Sequence, residues 1–196
     1  MSQEALIESR LQSLPVVALI QAEDTAVAVA TARALVAGGL TVLEVVMRTE
    51  AALDCVRAVK AEVEGAVVGA GTVLNAAHVN AAAEAGAGFI VSPGLSEAVV
   101  KTALGLGLPV YPGIATASEL QSAWNMGLGT VKFFPASLAG GIPMIKALAS
   151  VFRSMKFMPT GGISADNLAE YLAVPQVVAC GGSWLTPAAA IRAGDY

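Results

Sequence analysis

The chain is poor in the residues on which metal-binding, disulfide-rich and nucleic-acid-binding proteins depend. Its 196 residues include 2 cysteines and 1 histidine, and the 11 lysines and arginines are outnumbered by 15 aspartates and glutamates. Cys55 and Cys180 lie far apart and match no metal-ligand or redox spacing. The net charge is −4 and the basic residues are scattered, which disfavours a nucleic-acid partner. The composition therefore predicts neither a metal site nor nucleic-acid binding.

Two further absences concern the cell compartment. No apolar run reaches the roughly 18 residues that a membrane-spanning helix needs. The start of the sequence shows no charged region followed by an apolar core, as a secretory signal would. Because thiols are also few, a reducing compartment is the simplest environment. We expect a cytoplasmic protein with no membrane partner.

Alanine, valine and glycine are plentiful. Hydrophobic residues make up 56% of the chain and there are 20 glycines, whereas charged residues reach only 13%. This composition is typical of buried parallel strands covered by helices with small side chains. The length suffices for one sizeable core. We expect a single domain over residues 1–196.

Strand-like and helix-like segments alternate regularly along the sequence. Eight short runs rich in valine, isoleucine and phenylalanine each end near glycine, proline, threonine or serine, with seven helical stretches between them. This alternation predicts a (β/α)8 TIM barrel. A doubly wound sheet is the alternative, but no G-x-G-x-x-G follows the first strand. The predicted strands are 15–20, 41–48, 66–73, 88–94, 108–115, 130–137, 156–164 and 177–184.

The helices have recognisable beginnings and ends. The run "MSQEALIESRLQSL" predicts an extra helix before the first strand, and the short segment "TPAAAIRAGDY" predicts that the eighth helix is short or missing. The expected N-terminal capping residues are Thr25, Asn75, Ser96, Ser118 and Ser164. Helices are expected to stop at Gly38–Gly39, Gly86, Gly107 and Gly127.

Three charged side chains fall within otherwise apolar strands. Lys132 lies in "TVKFFPAS", and Glu44 and Arg48 lie in "TVLEVVMR" at a spacing that points both to one side of a strand. Each could have a structural explanation, such as an ion pair or a lysine that extends to one end of the barrel. Burying all three would nevertheless be costly without a structural benefit. In TIM barrels the chemistry lies at the carboxyl ends of the strands, where these residues are expected.

Schiff-base chemistry would account for the three residues together. Apolar surroundings disfavour the ammonium form of Lys132, and a neutral amine can attack a ketone to form a carbinolamine and then an iminium. Glu44 is the right kind of group to move the protons. Arg48, with the hydroxyl of Thr72, could bind the carboxylate of a keto acid. The backbone N–H groups of "GGIS" and "GGSW" suit a phosphate.

Six motifs in the same order resemble the class I aldolases for 2-keto-3-deoxy-6-phosphogluconate (KDPG), which also act on 4-hydroxy-2-oxoglutarate (KHG). Together they span nearly the whole chain, which makes the set specific although each motif alone is weak. The resemblance implies a homotrimer that needs no metal or organic cofactor. The motifs are "LEVVMRTE" (43–50), "VGAGTVLN" (68–75), "FIVSPG" (89–94), "VKFFPA" (131–136), "PTGGIS" (159–164) and "GGSWL" (181–185).

The resemblance implies a role for each matching residue. Lys132 would form the Schiff base and Glu44 would be the general acid and base. The pyruvyl carboxylate would be bound by Arg48 and Thr72, and the pyruvyl pocket lined by Pro93 and Phe134. Thr160 would contact the hydroxyls of the substrate, and Gly161, Gly162 and Ser183 would bind its phosphate.

Two other functions remain possible for the same fold. A phosphosugar isomerase or epimerase needs a base that shuttles protons but no strand lysine, so Lys132 would be expendable. A non-catalytic barrel that binds phosphosugars would use Gly161, Gly162 and Ser183 but form no adduct with pyruvate. Only the aldolase hypothesis accounts for Glu44, Arg48 and Lys132 together.

Overall fold

The eight strands form one parallel sheet that curls into a barrel, as a computed structural model describing residues 2–196 shows. The strand order is β7-β6-β5-β4-β3-β2-β1-β8, so neighbours in sequence are neighbours in the sheet and β1 also pairs with β8. The strands are β1 (Val16–Ile20), β2 (Val42–Val46), β3 (Val67–Gly71), β4 (Ile90–Ser92), β5 (Val110–Ile114), β6 (Thr130–Phe133), β7 (Lys156–Pro159) and β8 (Cys180–Gly182).

Helices follow each strand and surround the barrel. One additional helix precedes β1, and the helix after β8 has 6 residues. The predicted (β/α)8 barrel, with its extra N-terminal helix and short eighth helix, is confirmed. The helices are α1 (Gln3–Ser13), α2 (Thr25–Ala37), α3 (Ala52–Glu62), α4 (Ala76–Glu84), α5 (Glu97–Gly105), α6 (Ala117–Asn125), α7 (Gly141–Val151), α8 (Leu168–Leu172) and α9 (Ala188–Ala193).

The barrel closes between β7 and β8 through isolated bridges rather than a continuous ladder. Two isolated bridges, Phe157 to Val177 and Thr160 to Gly181, join the two strands. A side chain at Gly181 would meet the hydroxyl of Thr160, so this glycine lets β7 and β8 approach each other. Within residues 2–196, no helix is both long and apolar enough to cross a bilayer.

Two apolar clusters lie on opposite faces of the strands. The larger fills the space between barrel and helices, and includes Val131 and Phe133 of β6. The smaller lies inside the barrel, where Ile7 and Leu11 of α1 cover Val42, Val67 and other inward-facing side chains. Because successive strand residues face opposite sides, Glu44 and Lys132 belong to the inward-facing series.

Several predicted boundaries were wrong by a few residues. Asn75 and Ser96 cap α4 and α5 as expected. Asp24 rather than Thr25 caps α2, and Thr116 rather than Ser118 caps α6. Ser164 does not cap α8, which begins after Asn167 without a side-chain cap. The predicted strands were also too long, because their last residues bend out of the sheet towards the loops, and 41–48 shortens to Val42–Val46.

Candidate active site

The side chains of Lys132 and Glu44 meet inside the barrel. Lys132 Nζ lies 3.6 Å from Glu44 Oε1, and the two side chains are only 8% and 4% exposed. The neighbours of Lys132 in β6, Val131 and Phe133, pack outward against the helices, so the alternation of the strand turns the lysine inward. The amine and the carboxylate are thus within ion-pair distance, and a slight approach or one bridging water would allow proton transfer between them.

Glycine makes room for the Glu44 carboxylate. A Cβ on Gly71, in the adjacent strand β3, would overlap Glu44 Oε1. The same oxygen is buried and makes no hydrogen bond with any group among residues 2–196. A buried polar atom without a hydrogen bond is rare in structural positions. Lys132 is the charged neighbour of this oxygen, which can still accept a hydrogen bond from a bound molecule.

Phe134 borders the lysine, and the backbone of Pro93 lies against the neighbouring strand β5. Lys132 Nζ lies 5.2 Å from the centroid of the Phe134 ring. Lys132 pairs in register with Gly113 of β5, and a side chain on Gly113 would overlap the backbone carbonyl of Pro93. The loop after β4 thus packs directly on the strand beside Lys132. The Phe134 ring therefore lies near the amine, and the Pro93 carbonyl lies near Gly113, the residue paired with Lys132.

Arg48 and Thr72 contact each other at the rim of the site. Arg48 Nε donates a hydrogen bond to Thr72 Oγ1 at 3.2 Å. Thr72 has a φ of 58°, in the left-handed region that a β-branched residue seldom adopts, and such strain is concentrated at functional sites. Arg48 lies beyond the end of β2 and is exposed. The expectation of three buried strand charges was therefore wrong for Arg48, because the chain leaves the sheet at Val46.

The two glycine-rich loops and the end of β1 enclose a small cleft of about 180 Å³. Gly161 and Gly162 both have positive φ, which lets the loop after β7 turn its backbone towards the cleft. Ser137 donates its backbone N–H to the carbonyl of Gly161 at 3.0 Å, so the loop after β6 supports this turn. The lining residues are Leu19, Gln21, Val46, Arg48, Phe134, Thr160, Gly161, Gly162, Ile163, Gly182 and Ser183.

The structure brings the predicted site residues to one end of the barrel, in two groups. Six of them line the cleft: Arg48, Phe134, Thr160, Gly161, Gly162 and Ser183. The other four, Lys132, Glu44, Thr72 and Pro93, do not line the cleft. Lys132 contacts Glu44, Thr72 accepts a hydrogen bond from Arg48, and Pro93 lies against β5 near Gly113.

The motif analysis did not select two positions that the structure places at the site. Gln21 lines the cleft, and Gly71 makes room for Glu44. Gln21 is the first residue after a predicted strand, so its position at a strand end could have identified it as a candidate site residue. The need for a glycine at position 71 depends on a neighbouring strand and has no local signal.

Neither cysteine is suited to nucleophilic chemistry. Cys55 and Cys180 are both buried and unpaired. Burial raises the pKa of the Cys180 thiol to about 12, and burial also raises that of Cys55, with smaller contributions from nearby carboxylates. Thiolates are thus disfavoured at both positions. Across residues 2–196, no three histidine, cysteine, aspartate or glutamate side chains are grouped as a metal site would require.

Comparison with known proteins agrees with this site. Residues 7–196 match the family described as KDPG and KHG aldolase. The KHG/KDPG aldolase of Escherichia coli K12 is 50% identical over 189 residues, which cover 96% of this chain and 89% of that protein.

Two solved structures are similar over almost the whole fold. The KDPG aldolase of Zymomonas mobilis ZM4, solved with 3-phosphoglycerate, has a TM-score of 0.89 and 46% identity, and the match covers 96% of this chain and 92% of that one. The KDPG aldolase of Legionella pneumophila, solved with pyruvate captured as a covalent carbinolamine intermediate, has a TM-score of 0.92 and 39% identity, covering 96% and 91%. With its sequence matched from residue 7 to its last residue, this chain belongs to the KDPG and KHG aldolase family.

Proposed function

We propose that the protein is a class I aldolase, a lyase that splits 2-keto-3-deoxy-6-phosphogluconate into pyruvate and glyceraldehyde 3-phosphate. It would also cleave 4-hydroxy-2-oxoglutarate into pyruvate and glyoxylate. The observation that carries the proposal is the buried contact of 3.6 Å between Lys132 and Glu44 at the catalytic end of the barrel. The carbinolamine that pyruvate forms in the Legionella relative supports the same chemistry.

Lys132 is the nucleophile in this mechanism. Its neutral amine adds to the C2 carbonyl of the substrate to give a carbinolamine, and loss of water gives an iminium. Glu44, which approaches the amine, gives and takes the protons that these steps require. No metal or organic cofactor is required, since the iminium itself withdraws the electrons.

Cleavage then occurs between C3 and C4. A base removes the proton of the C4 hydroxyl, the C3–C4 electron pair moves into the iminium, and C4 leaves as the aldehyde. The enamine that remains on Lys132 takes a proton at C3, and water releases pyruvate and the free amine. We assign Glu44 to these proton transfers, because its Oε1 lies 3.6 Å from Lys132 Nζ and makes no hydrogen bond with any group among residues 2–196.

The remaining residues bind the two ends of the substrate. Arg48 and Thr72 bind the carboxylate next to the keto group, because a guanidinium and a hydroxyl can both donate hydrogen bonds to it. Phe134 and Pro93 bound the pyruvyl pocket. Thr160 contacts the hydroxyls of the substrate. Gly161, Gly162 and Ser183 bind its phosphate through the glycine-rich loops around the cleft.

Three broader expectations belong to the same proposal. We propose that residues 1–196 act as one barrel domain and that three copies assemble into a homotrimer, as the family resemblance implies. A cytoplasmic location fits the two unpaired buried thiols, which are typical of a reducing compartment. No membrane or nucleic-acid partner is proposed.

Borohydride trapping tests the mechanism directly. The purified protein is reduced with borohydride in the presence of pyruvate, and its intact and peptide masses are then measured. A stable pyruvyl adduct on Lys132 is expected, and Lys132→Ala should lose both adduct and cleavage activity. Lys156→Ala is the matched control, since Lys156 begins β7 beside β6 but is exposed. Folded protein without an adduct would refute the aldolase, and an isomerase or binding barrel would replace it.

A further inference from the structure

We propose that Gln21 is a specificity-determining residue whose side-chain amide donates a hydrogen bond to the terminal phosphate of the substrate, in the cleft that Gly161 and Gly162 also line. This inference rests on the proposed function for the identity of the substrate. Gln21 belongs to none of the motifs that carry the family resemblance. Its assignment comes from the geometry of the cleft.

The register of the barrel places Gln21 on the inner face. Val17 of β1 lies in the inner cluster, whereas Ala18 and Ile20 lie in the outer one. Leu19 and Gln21 continue the inward series, because side chains alternate along a strand. Leu19 pairs with Glu44 of β2, so Gln21 lies one inward step above the catalytic layer.

The pairing of β8 with β1 brings Ser183 close to the end of β1. β1 pairs with β8 through Ala18 and Gly182, so the next residues of the two strands, Leu19 and Ser183, are also neighbours. The hydroxyl of Thr186 donates to the carbonyl of Leu19 at 2.7 Å and also approaches that of Ser183 at 3.3 Å. One side chain therefore links the loop that follows β8 to the end of β1.

The backbone around Gln21 is held on both sides. Thr186 binds the carbonyl of Leu19, and the hydroxyl of Thr49 donates to the carbonyl of Ala22 at 2.7 Å. Gln21 itself is exposed, yet it sits between two carbonyls anchored by loops that follow β8 and β2. Because the backbone is already fixed, binding has to order only the side chain of Gln21.

The charge balance of the cleft leaves a role for a neutral donor. Arg48 is the one cationic side chain among the lining residues, and the proposed function commits it to the carboxylate. The phosphate would then meet the backbone of Gly161 and Gly162 and the hydroxyl of Ser183. In a cleft of about 180 Å³, a group held against that loop lies within reach of the end of β1, where Gln21 supplies an N–H donor.

The experiment compares phosphorylated and unphosphorylated substrate in paired variants. Gln21→Ala should raise KM for 2-keto-3-deoxy-6-phosphogluconate by about tenfold, the effect of losing one hydrogen bond to a charged group, and leave kcat within about twofold. Gln21→Glu, with the same shape and a negative charge, should raise KM further. For unphosphorylated 2-keto-3-deoxygluconate, Gln21→Ala should change neither constant. Gln12→Glu is the control, because Gln12 is an exposed glutamine on α1 at the other end of the barrel.

Titration with inorganic phosphate makes the test independent of turnover. Binding to the wild-type protein should weaken in Gln21→Ala and weaken more in Gln21→Glu, with Gln12→Glu unchanged. Equal losses on both substrates, or no loss in either variant, would overturn the role of Gln21 in phosphate recognition. If the wild-type protein failed to trap pyruvate, the proposed aldolase would fall, yet the phosphate titration would still decide for or against Gln21.

Discussion

The two ends of the barrel interior are built from the same strands but serve opposite purposes. On β2, Val42 packs in the apolar inner cluster beneath α1, and Glu44, two residues later, contacts Lys132. On β7, Met158 lies in that cluster and Thr160 lines the cleft. A single pleat step separates a layer that stabilises the fold from a layer that carries ionisable groups.

The difference between the two ends explains why the buried charges of Lys132 and Glu44 are tolerated. The apolar end excludes water, and α1 covers it with Ile7 and Leu11. The catalytic end buries a lysine and a glutamate beside each other, so each charge has a partner despite its burial. Changes at the catalytic end should therefore alter turnover, and changes at the apolar end should alter stability.

The largest effect is expected for Glu44→Gln. The amide keeps the shape of the side chain but cannot transfer protons, so kcat should fall about 10²- to 10⁴-fold. Steady-state cleavage assays of the folded variant would measure this loss. The variant should also unfold at a lower temperature, because the buried Lys132 loses its charged partner. An activity within a few fold of wild type would assign the proton transfers to another group.

A smaller loss is expected for Gly71→Ala. The added methyl group would overlap the Glu44 carboxylate and displace it from Lys132, and misplacing a catalytic group by about 1 Å can cost about 10²-fold in rate. Gly105→Ala is the control, because a Cβ there meets no atom within 4 Å among the described residues. Equal activity in both variants would show that the site does not depend on the glycine.

Leu11→Ala should show the reverse pattern at the apolar end. Leu11 is 5% exposed beneath the barrel, and its truncation should lower the free energy of unfolding by about 2–4 kcal/mol. Urea unfolding measures this change, and kcat/KM of the folded protein should stay within about twofold. The exposed neighbour Gln12→Ala should affect neither quantity. A large loss of kcat with unchanged stability would contradict the division between the two ends.

The smallest effect is expected for Glu119. This carboxylate follows β5 at the catalytic end of the barrel, yet its role is to stabilise a helix. It forms a capping box with Thr116 at the start of α6, and the backbone N–H of Ala115, with further donors on Thr116, holds its pKa below the ordinary 4.5. Glu119→Gln should therefore cost about 0.5–1 kcal/mol at pH 7.

The sign of the pH dependence follows from the lowered pKa. The folded protein binds the Glu119 proton less readily than the unfolded chain, so the stabilisation is complete above the unfolded pKa and is lost as pH falls through the folded one. The difference in urea unfolding between wild type and Glu119→Gln should vanish in acid. Ser118→Ala, one residue from Glu119, should show no such pH-dependent difference.

The sequence was sufficient for the class of fold and for the chemical types at the site. Alternating apolar runs and helical stretches predicted the barrel, because strand and helix periods are local properties of the chain. Lys132 was identifiable because an isolated cation in an apolar strand conflicts with its surroundings. The six ordered motifs identified the family, and the comparisons agree.

The precise boundaries could not be predicted from local patterns. Thr25 and Ser118 are plausible caps, but Asp24 and Thr116 perform that role because the chain enters each helix one or two residues earlier. Arg48 was expected within a strand and lies beyond it. Where a segment leaves the sheet depends on the neighbouring strands and loops, which a local pattern does not contain.

By itself, the sequence determined the order of elements, the apolar interior and the chemical types of the candidate site residues, since these depend on periodicity and side-chain chemistry. Only the tertiary structure decided that Lys132 meets Glu44 from four strands away and that Gly71 makes room for the carboxylate. The same is true of Gln21, which lines the same cleft as the two glycine-rich loops. These relations depend on the register between strands that are distant in sequence, and closure of the barrel sets that register.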